Sequence, residues 1–216
     1  MSLNNMTKED IIETYSYIEK INDASDQIFI ISHGGNKGND SSLIIGIADG
    51  LYKAGASVVT FNFSYFNKGI GNSRGLVDEL NDLWNIYEFV SKEYPSKRIN
   101  LVGKSLGGVA SSWLPDKKGV NPESISLMGC VMGEGGVGFG NYSGPVVIVQ
   151  GENDRYGNKE SVERFMKDYP GKVVVKEISN ADHSYRNTDK ENGPENYEKE
   201  AIDSLIAGLK DLNIFG

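Results

Sequence analysis

The sequence is poor in cysteine and histidine, the residues that most often cross-link proteins or bind transition metals. Its 216 residues include one cysteine, Cys130, and two histidines, His33 and His183. A single cysteine cannot form an internal disulfide bond. No cluster of cysteine and histidine has the spacing of metal ligands, so we expect no bound metal. Because Cys130 ends an apolar run, a buried and unreactive thiol is its expected state.

Long hydrophobic runs are missing as well. The longest, such as IFII at 28–31 and VVIV at 146–149, are far too short to cross a bilayer. The first ten residues, MSLNNMTKED, lack the apolar stretch of a signal peptide. Together with the single cysteine, these features favour a cytoplasmic protein that does not bind membranes.

Basic residues are fewer than acidic ones. The sequence has 22 lysines and arginines and 30 aspartates and glutamates, which gives a formal net charge of −8. An acidic surface repels phosphate groups, so this balance argues against a nucleic-acid partner or an anionic membrane surface. The length suits one domain with a buried core, and we predict a single domain over residues 1–216. The sequence leaves the oligomeric state open.

The sequence does contain a series of short runs rich in β-branched and aromatic residues. Most of them are apolar at successive positions, which is typical of strands covered on both faces, as in a parallel sheet. Six such runs predict strands: QIFIIS (27–32), SVVTFNF (57–63), RINLVG (98–103), SISLMGC (124–130), PVVIVQG (145–151) and KVVVKEI (172–178).

Segments with the apolar spacing of amphipathic helices lie between these runs. Strands that alternate with helices indicate right-handed βαβ units, so we predict an α/β three-layer sandwich with a mostly parallel sheet of about six to seven strands. Residues 1–26 would be a peripheral segment. In it, 7–21 fits a helix, although the alternation in ETYSYIEKI would also suit an edge strand. The helical segments are 42–54, 75–93, 160–169 and 195–212.

The stretch VGKSLGG at 102–108 follows a predicted strand and has two alternative interpretations. A phosphate-binding loop needs the pattern G-x-x-x-x-G-K-[ST]. The first glycine of that pattern is missing, because Arg98 stands five residues before Gly103 and the INLV between them is typical of a strand. The letters GKSLG at 103–107 instead match G-x-S-x-G, the nucleophile elbow that holds a serine on a sharp turn between strand and helix. A serine that only caps the helix is the simpler alternative.

A nucleophilic serine needs a histidine as base and a carboxylate that orients the histidine. In enzymes with a nucleophile elbow, these residues follow one another in the order Ser, Asp or Glu, His. His183 lies just before the last predicted helix, and Asp154 stands three residues after PVVIVQG. We therefore predict Ser105, His183 and Asp154 as a catalytic triad, with Glu152 and Asp182 as alternative acids.

The loop ISHGGNKG follows the first predicted strand of the parallel series. A loop of the HGG type at this place supplies a backbone amide to an oxyanion hole. We predict that the amides of Gly34, Gly35 and Leu106 form this hole, since Leu106 opens the helix after the elbow and the helix dipole favours negative charge there. His33 would brace the loop.

The chain resembles a known family through five motifs: HGG (33–35), FNFSY (61–65), GKSLGG (103–108), VQGENDRYG (149–157) and ADH (181–183). Over residues 27–212 it is similar to the α/β-hydrolase superfamily, in particular to small serine members that look like dienelactone hydrolases. The resemblance implies the α/β-hydrolase fold, with an eight-stranded, mostly parallel sheet. Dienelactone hydrolases proper have a cysteine where this chain has Ser105, so the lactone substrate does not carry over. Ser64 and Leu106 stand where relatives have proline and methionine.

The segment 131–144 leaves room only for a short glycine-rich loop at the place where lipases and many esterases insert a cap domain. We therefore expect an open site without a cap. The predicted function is a serine hydrolase that needs no cofactor and cleaves a small-molecule ester, thioester or lactone through an acyl-enzyme. The alternative is a non-catalytic α/β-hydrolase scaffold that binds a ligand or a protein partner.

Three basic residues lie beside the predicted site residues in the sequence. Lys104, next to the serine, forms a salt bridge or points outward, with a catalytic role as a further alternative. Arg155 and Arg186 are solvated surface charges or hold a substrate carboxylate. Four aromatic residues of the same loops line the pocket or pack the loops: Tyr65, Phe66, Tyr156 and Tyr185.

Overall fold

One seven-stranded sheet forms the centre of the protein. The computed structural model describes residues 6–187 and 195–215. The strands are β1 (Ile18–Lys20), β2 (Gln27–Ser32), β3 (Ser57–Phe61), β4 (Arg98–Lys104), β5 (Ser124–Met128), β6 (Val146–Gly151) and β7 (Val173–Ile178). Their order across the sheet is β1-β3-β2-β4-β5-β6-β7, and every pairing is parallel except that of β1 with β3. The predicted α/β fold with a mostly parallel sheet is confirmed.

Helices connect the parallel strands, except between β5 and β6. The four predicted helical segments are all present, and their observed ends lie within 3 residues of the predicted ones. A short antiparallel pair, β8 (Arg186–Asn187) and β9 (Glu195–Asn196), precedes the last helix. The helices are α1 (Lys8–Tyr15), α2 (Ser42–Lys53), α3 (Ser64–Asn67), α4 (Val77–Glu93), α5 (Leu106–Lys118), α6 (Lys159–Met166) and α7 (Glu198–Asp211).

The N-terminal segment contains both elements that its sequence suggests. Thr7 caps α1, because its hydroxyl accepts a hydrogen bond from the Asp10 amide at 3.2 Å and the Asp10 carboxylate accepts one from the Thr7 amide at 2.8 Å. Ser16 ends the helix in the left-handed region, at φ 48°. The chain then forms β1 at the sheet edge. The prediction of a helix over all of 7–21 is therefore wrong for the second half of that segment. There, pairing with β3 satisfies the hydrogen-bonding groups of the backbone.

Apolar layers cover both faces of the sheet. Along β2, Ile28 and Ile30 join the cluster that contains α4 and α5, whereas Phe29 and Ile31 join the cluster that contains α2 and α7. Burial on both faces explains why the strands are apolar at successive positions. The helices contribute Leu83, Ile86, Val90, Val109 and Leu114 to the first layer and Leu43, Ile47, Leu51, Leu205 and Leu209 to the second.

The loops at one edge of the sheet carry the predicted site residues. His33 follows β2, Ser105 follows β4, Asp154 lies beyond β6, and His183 lies beyond β7. The carboxyl ends of parallel strands all meet at the same edge, where ligands bind in open α/β sheets.

No cap domain interrupts this arrangement between β5 and β6. Residues 129–145 contain neither helix nor strand, as the short glycine-rich segment predicts. Across residues 6–187 and 195–215, no helix is both long enough and apolar enough to span a bilayer.

We expect Ile86→Ala to lower the free energy of unfolding by about 2–5 kcal/mol, because Ile86 is a fully buried residue of α4 and the smaller side chain leaves a cavity. Ile45→Ala is the matched control, since Ile45 also lies inside a helix but is 48% exposed. The control should change stability by about 0.5 kcal/mol or less. Urea denaturation of both variants measures the difference, and equal losses would contradict the assignment of the core.

Candidate active site

Ser105 stands at the junction of β4 and α5 in a backbone conformation that residues other than glycine rarely adopt. Its φ is 52° and its ψ is −113°. Its amide donates a hydrogen bond to the Met128 carbonyl at 3.0 Å, and its own carbonyl accepts one from the Val109 amide at 3.0 Å. Strained conformations of this kind persist only where the surrounding structure enforces them, and they cluster at functional sites.

The two glycines of the G-x-S-x-G pattern are required by close contacts between backbones. A Cβ atom at Gly103 would lie 2.4 Å from the Gly107 carbonyl. A Cβ atom at Gly107 would lie 2.6 Å from the His33 carbonyl oxygen and from Ser32 Oγ. Any larger residue at either position would push α5 away from the sheet, so the pattern is a steric requirement of this turn.

Ser105, His183 and Asp154 form a continuous chain of hydrogen bonds. His183 Nε2 lies 2.9 Å from Ser105 Oγ, and His183 Nδ1 lies 2.7 Å from Asp154 Oδ2. A carboxylate can only accept, so Nδ1 carries the proton and Nε2 is left to accept from the serine hydroxyl. The Asp154 side chain is fully buried, whereas that of His183 is 19% exposed and can meet a ligand.

A buried glutamine that the sequence analysis did not single out holds Asp154 in place. Gln150 Nε2 donates to Asp154 Oδ2 at 2.9 Å and also to the Gly157 carbonyl. Gln150 Oε1 accepts from the Cys130 amide at 2.7 Å. The second carboxylate oxygen of Asp154 accepts from the Tyr156 amide at 2.9 Å. The sequence signal that could have identified Gln150 is its position as a polar residue near the end of the otherwise apolar β6.

The two alternative acids support loops instead. Glu152 accepts a hydrogen bond from the Asn180 amide at 2.7 Å. Asp182 accepts from the amides of Ser184 and Arg186, at 2.7 and 3.0 Å. Both interactions shape the turn after β7, which carries His183. Of the three candidate carboxylates, Asp154 is the one that hydrogen-bonds the histidine.

His33 braces the loop after β2. The Phe63 amide donates to His33 Nε2 at 3.0 Å, so Nε2 is unprotonated and Nδ1 donates to the Gly34 carbonyl at 2.6 Å. Burial lowers the pKa of His33, which keeps the ring neutral. Tyr65 adds a second support, because its hydroxyl donates to the Gly35 carbonyl at 3.1 Å.

Gly34, Gly35 and Leu106 lie together around the elbow. A Cβ atom on Gly34 would stand 3.6 Å from Ser105 Cβ, and one on Gly35 would stand 3.9 Å from Leu106 Cδ1. The Leu106 amide begins α5 and has no acceptor within the helix. The three predicted oxyanion residues are therefore neighbours of Ser105, and all three line one cavity with it.

This cavity has a volume of about 600 Å³. The Tyr156 and His183 rings meet edge to face, with their centres 4.6 Å apart. The Arg155 guanidinium carbon lies 4.7 Å from the centre of the Tyr156 ring. Arg186 is not in the cavity wall; it lies 3.7 Å from the Glu198 carboxylate. The start of α2 also lines the cavity, through residues 41–44.

The remaining aromatic candidates pack the loops, and Cys130 is buried as expected. Tyr65 and Tyr185 are buried, and the Phe66 ring packs on His33 at 5.2 Å. Tyr156 is the member of the four that lines the cavity. Within residues 6–187 and 195–215, no group of histidine, cysteine, aspartate and glutamate is arranged to hold a metal ion.

Lys104 points into the site, neither outward nor into a salt bridge with a carboxylate. Its Nζ donates to the His183 carbonyl at 2.7 Å and lies 3.4 Å from His183 Nε2. The same ammonium stands 5.5 Å from the centre of the Tyr185 ring. Burial lowers the pKa of Lys104 to about 8, against the opposing attraction of the Asp154 carboxylate.

Known structures with this fold include several hydrolases. A serine hydrolase homologue from Coxiella burnetii superposes with a TM-score of 0.70 at 21% identity, covering 91% of this chain and 90% of that one. A serine hydrolase without a lid from Xanthomonas campestris gives 0.68 at 16% identity, with 90% and 87% covered. Est1E from Butyrivibrio proteoclasticus gives 0.67 at 13% identity, with 91% and 93% covered. These identities show a shared fold.

Sequence comparison identifies the family. No curated protein sequence matches this chain significantly. A family model described as an alpha/beta hydrolase domain matches residues 25–133 and 136–210, which is most of the chain. The matched region contains the HGG loop, the elbow, Asp154 and His183. The protein therefore belongs to the α/β-hydrolase family.

Proposed function

We propose that this protein is a serine hydrolase that cleaves small carboxylic esters or thioesters through an acyl-enzyme. The observation that carries the proposal is the hydrogen-bond chain from Ser105 Oγ through His183 to the buried Asp154, at 2.9 and 2.7 Å. These distances suit transfer of the serine proton to a general base. The same three residues were predicted from their order in the sequence.

In the proposed reaction, Ser105 Oγ attacks the carbonyl carbon while His183 Nε2 takes its proton. The developing oxyanion accepts hydrogen bonds from the amides of Leu106 and of Gly34 or Gly35. His183 then protonates the leaving alkoxide or thiolate, and an acyl group remains on Ser105. Water, deprotonated by His183, releases the acid product. Asp154 keeps the histidine in the required tautomer and stabilises the imidazolium.

The shape of the cavity supports small or exposed substrates. No cap covers it between β5 and β6. Without a cap, a long acyl chain would stay exposed to solvent instead of being enclosed. One similar structure shows Est1E from Butyrivibrio proteoclasticus with ferulic acid bound. A substrate panel should therefore contain short p-nitrophenyl esters, thioesters and feruloyl esters, with long-chain esters for contrast.

Labelling by a fluorophosphonate tests the nucleophile. We expect Ser105 to be modified in the folded protein, because only an activated serine attacks the phosphorus at a useful rate. Ser105→Ala should lose labelling and ester turnover. Ser184→Ala is the matched control, since Ser184 lies in the same cavity wall, and it should keep both. Peptide mass spectrometry locates the adduct; no labelling and no turnover in the parent would favour the non-catalytic scaffold.

Two aspartates near His183 allow a test of the acid. We expect Asp154→Asn to lower kcat by about 10³–10⁴-fold, because an amide can impose the wrong histidine tautomer. Asp182→Asn should leave kcat within about threefold of the parent, since Asp182 hydrogen-bonds loop amides and not the imidazole. Steady-state kinetics on a short ester measures both variants. Similar losses in the two would refute the assignment of Asp154.

A further inference from the structure

Charged side chains outside the triad line the cavity around Ser105. In the described part of the lining, the basic residues are Lys37, Lys104 and Arg155, and the acidic ones are Asp182 and Glu198. They come from different loops and element ends that meet at the carboxyl edge of the sheet. Which of these charges already have partners within the protein decides what kind of ligand the cavity attracts.

The acidic side chains of the site are satisfied by neighbouring groups. Asp182 accepts hydrogen bonds from two amides of its own loop, at 2.7 and 3.0 Å. Glu198 lies 3.7 Å from the guanidinium of Arg186. The buried carboxylate of Asp154 is hydrogen-bonded to His183. A cationic ligand would therefore compete with partners that the protein itself provides.

Lys37 and Arg155 carry charges that no acidic side chain neutralises. Both are exposed, and within residues 6–187 and 195–215 neither lies within 4.0 Å of a carboxylate oxygen. Lys104 differs from them, because its ammonium group donates to the His183 carbonyl at 2.7 Å. Two cations without ion pairs, at one cavity of a chain with net charge −8, favour an anionic ligand there.

Arg155 is also held in a defined orientation beside the triad. Its Nη2 donates to the Tyr156 hydroxyl at 2.8 Å, and its guanidinium carbon lies 4.7 Å from the centre of the Tyr156 ring. The Tyr156 ring in turn packs on the His183 ring. Contact with an aromatic ring restricts an arginine while leaving most of its N–H groups able to donate. A carboxylate fits such a guanidinium, because it accepts two parallel hydrogen bonds from it.

The position of this arginine indicates one half of the substrate. In the proposed reaction, His183 Nε2 delivers its proton to the departing oxygen or sulfur, so the departing atom lies close to the imidazole. The Tyr156 ring adjoins the imidazole, and the Arg155 guanidinium adjoins the Tyr156 ring. A group attached to the departing atom therefore extends along Tyr156 toward Arg155.

We propose that the site prefers esters or thioesters whose leaving alcohol or thiol carries an anionic oxygen group, of which a carboxylate is the simplest, and that Arg155 determines this preference. The inference rests on the proposed function, because the role of His183 assigns the leaving half. Lys37 adds a second positive charge to the same cavity. Arg155 binds the anion equally before and during the reaction, so it lowers KM and leaves the chemical step unchanged.

Two esters of nearly the same size but different charge test the preference. They are the butyryl esters of 4-hydroxybenzoate, which is anionic at neutral pH, and of 4-hydroxybenzamide, which is neutral. Each kcat/KM is divided by the rate of spontaneous hydrolysis of the same ester, which removes the difference in intrinsic reactivity. We expect the parent protein to prefer the carboxylate ester about tenfold, through a lower KM. Equal values, or a preference for the amide, would overturn the proposal.

Charge-removing variants test the role of Arg155. Arg155→Gln should lower the ratio of the two normalised values about tenfold, because the amide cannot replace the charged fork. Lys37→Gln should lower the same ratio by a smaller factor, about twofold, since its charge acts without a defined contact. An unchanged ratio in Arg155→Gln, or a larger fall in Lys37→Gln than in Arg155→Gln, would overturn the assignment.

Arg164→Gln is the matched control, because it removes the same charge at a distance from the site. Arg164 lies on α6 with its side chain 74% exposed, outside the described lining of the cavity. The ratio of the two esters should equal that of the parent. A fall as large as that in Arg155→Gln would show a general effect of net charge and would overturn the proposal.

A carboxylate in the acyl half tests the assignment to the leaving half. The p-nitrophenyl monoester of adipic acid carries the charge there, and p-nitrophenyl hexanoate is its neutral counterpart. We expect Arg155→Gln to change the ratio for this pair by less than about twofold, because the acyl chain extends away from the departing atom. A change as large as that for the first pair would overturn the assignment.

A binding measurement separates this inference from the proposed function, since it needs no turnover. In an NMR titration, 4-hydroxybenzoate should bind the parent more tightly than 4-hydroxybenzamide, and Arg155→Gln should remove the difference. Equal binding of the two compounds, with normal fluorophosphonate labelling of Ser105, would overturn the preference and leave the proposed function intact. Preferential binding of the anion without any labelling would refute the proposed function and support the anion site.

Discussion

The crossing of two backbones at Gly103 and Gly107 is the constraint on which the site depends. Because β4 and α5 approach too closely for any side chain, the residue between them must turn sharply, and Ser105 adopts a φ of 52°. Such a conformation costs about 1–3 kcal/mol in a residue other than glycine. The packing of α5 on the sheet offsets this cost and leaves the hydroxyl fixed at the carboxyl edge, where the other loops converge.

A buried row of polar groups continues from the elbow into the protein. It runs from Ser105 through His183 and Asp154 to Gln150, and each hydrogen bond fixes the next side chain. Polar groups buried against apolar strands need partners, and this row provides them. Lys104 lies beside the row, and its Nζ donates a hydrogen bond to the His183 carbonyl. Hydrogen bonds therefore hold the side chains of this row in place.

Much of this arrangement was predictable from the sequence, because parallel strands buried on both faces form recognisable apolar runs. The elbow and the order of Ser105, Asp154 and His183 were also recognisable, since the α/β-hydrolase fold fixes their order along the chain and sheet topology fixes their place. The partition of 7–21 into helix and edge strand was not, because a turn at Ser16 and pairing with β3 decide it. Gln150 and the inward direction of Lys104 depend on contacts between distant segments. No local pattern encodes those contacts.

A crystal structure of the phosphonylated protein tests the proposed site most directly. The account predicts phosphorus bonded to Ser105 Oγ and the phosphonyl oxygen within about 3 Å of the amide nitrogens of Leu106 and of Gly34 or Gly35. His183 Nε2 should remain in hydrogen-bonding distance of an adduct oxygen, with Nδ1 on Asp154. An adduct on another residue, or a phosphonyl oxygen that faces solvent without an amide partner, would contradict the account.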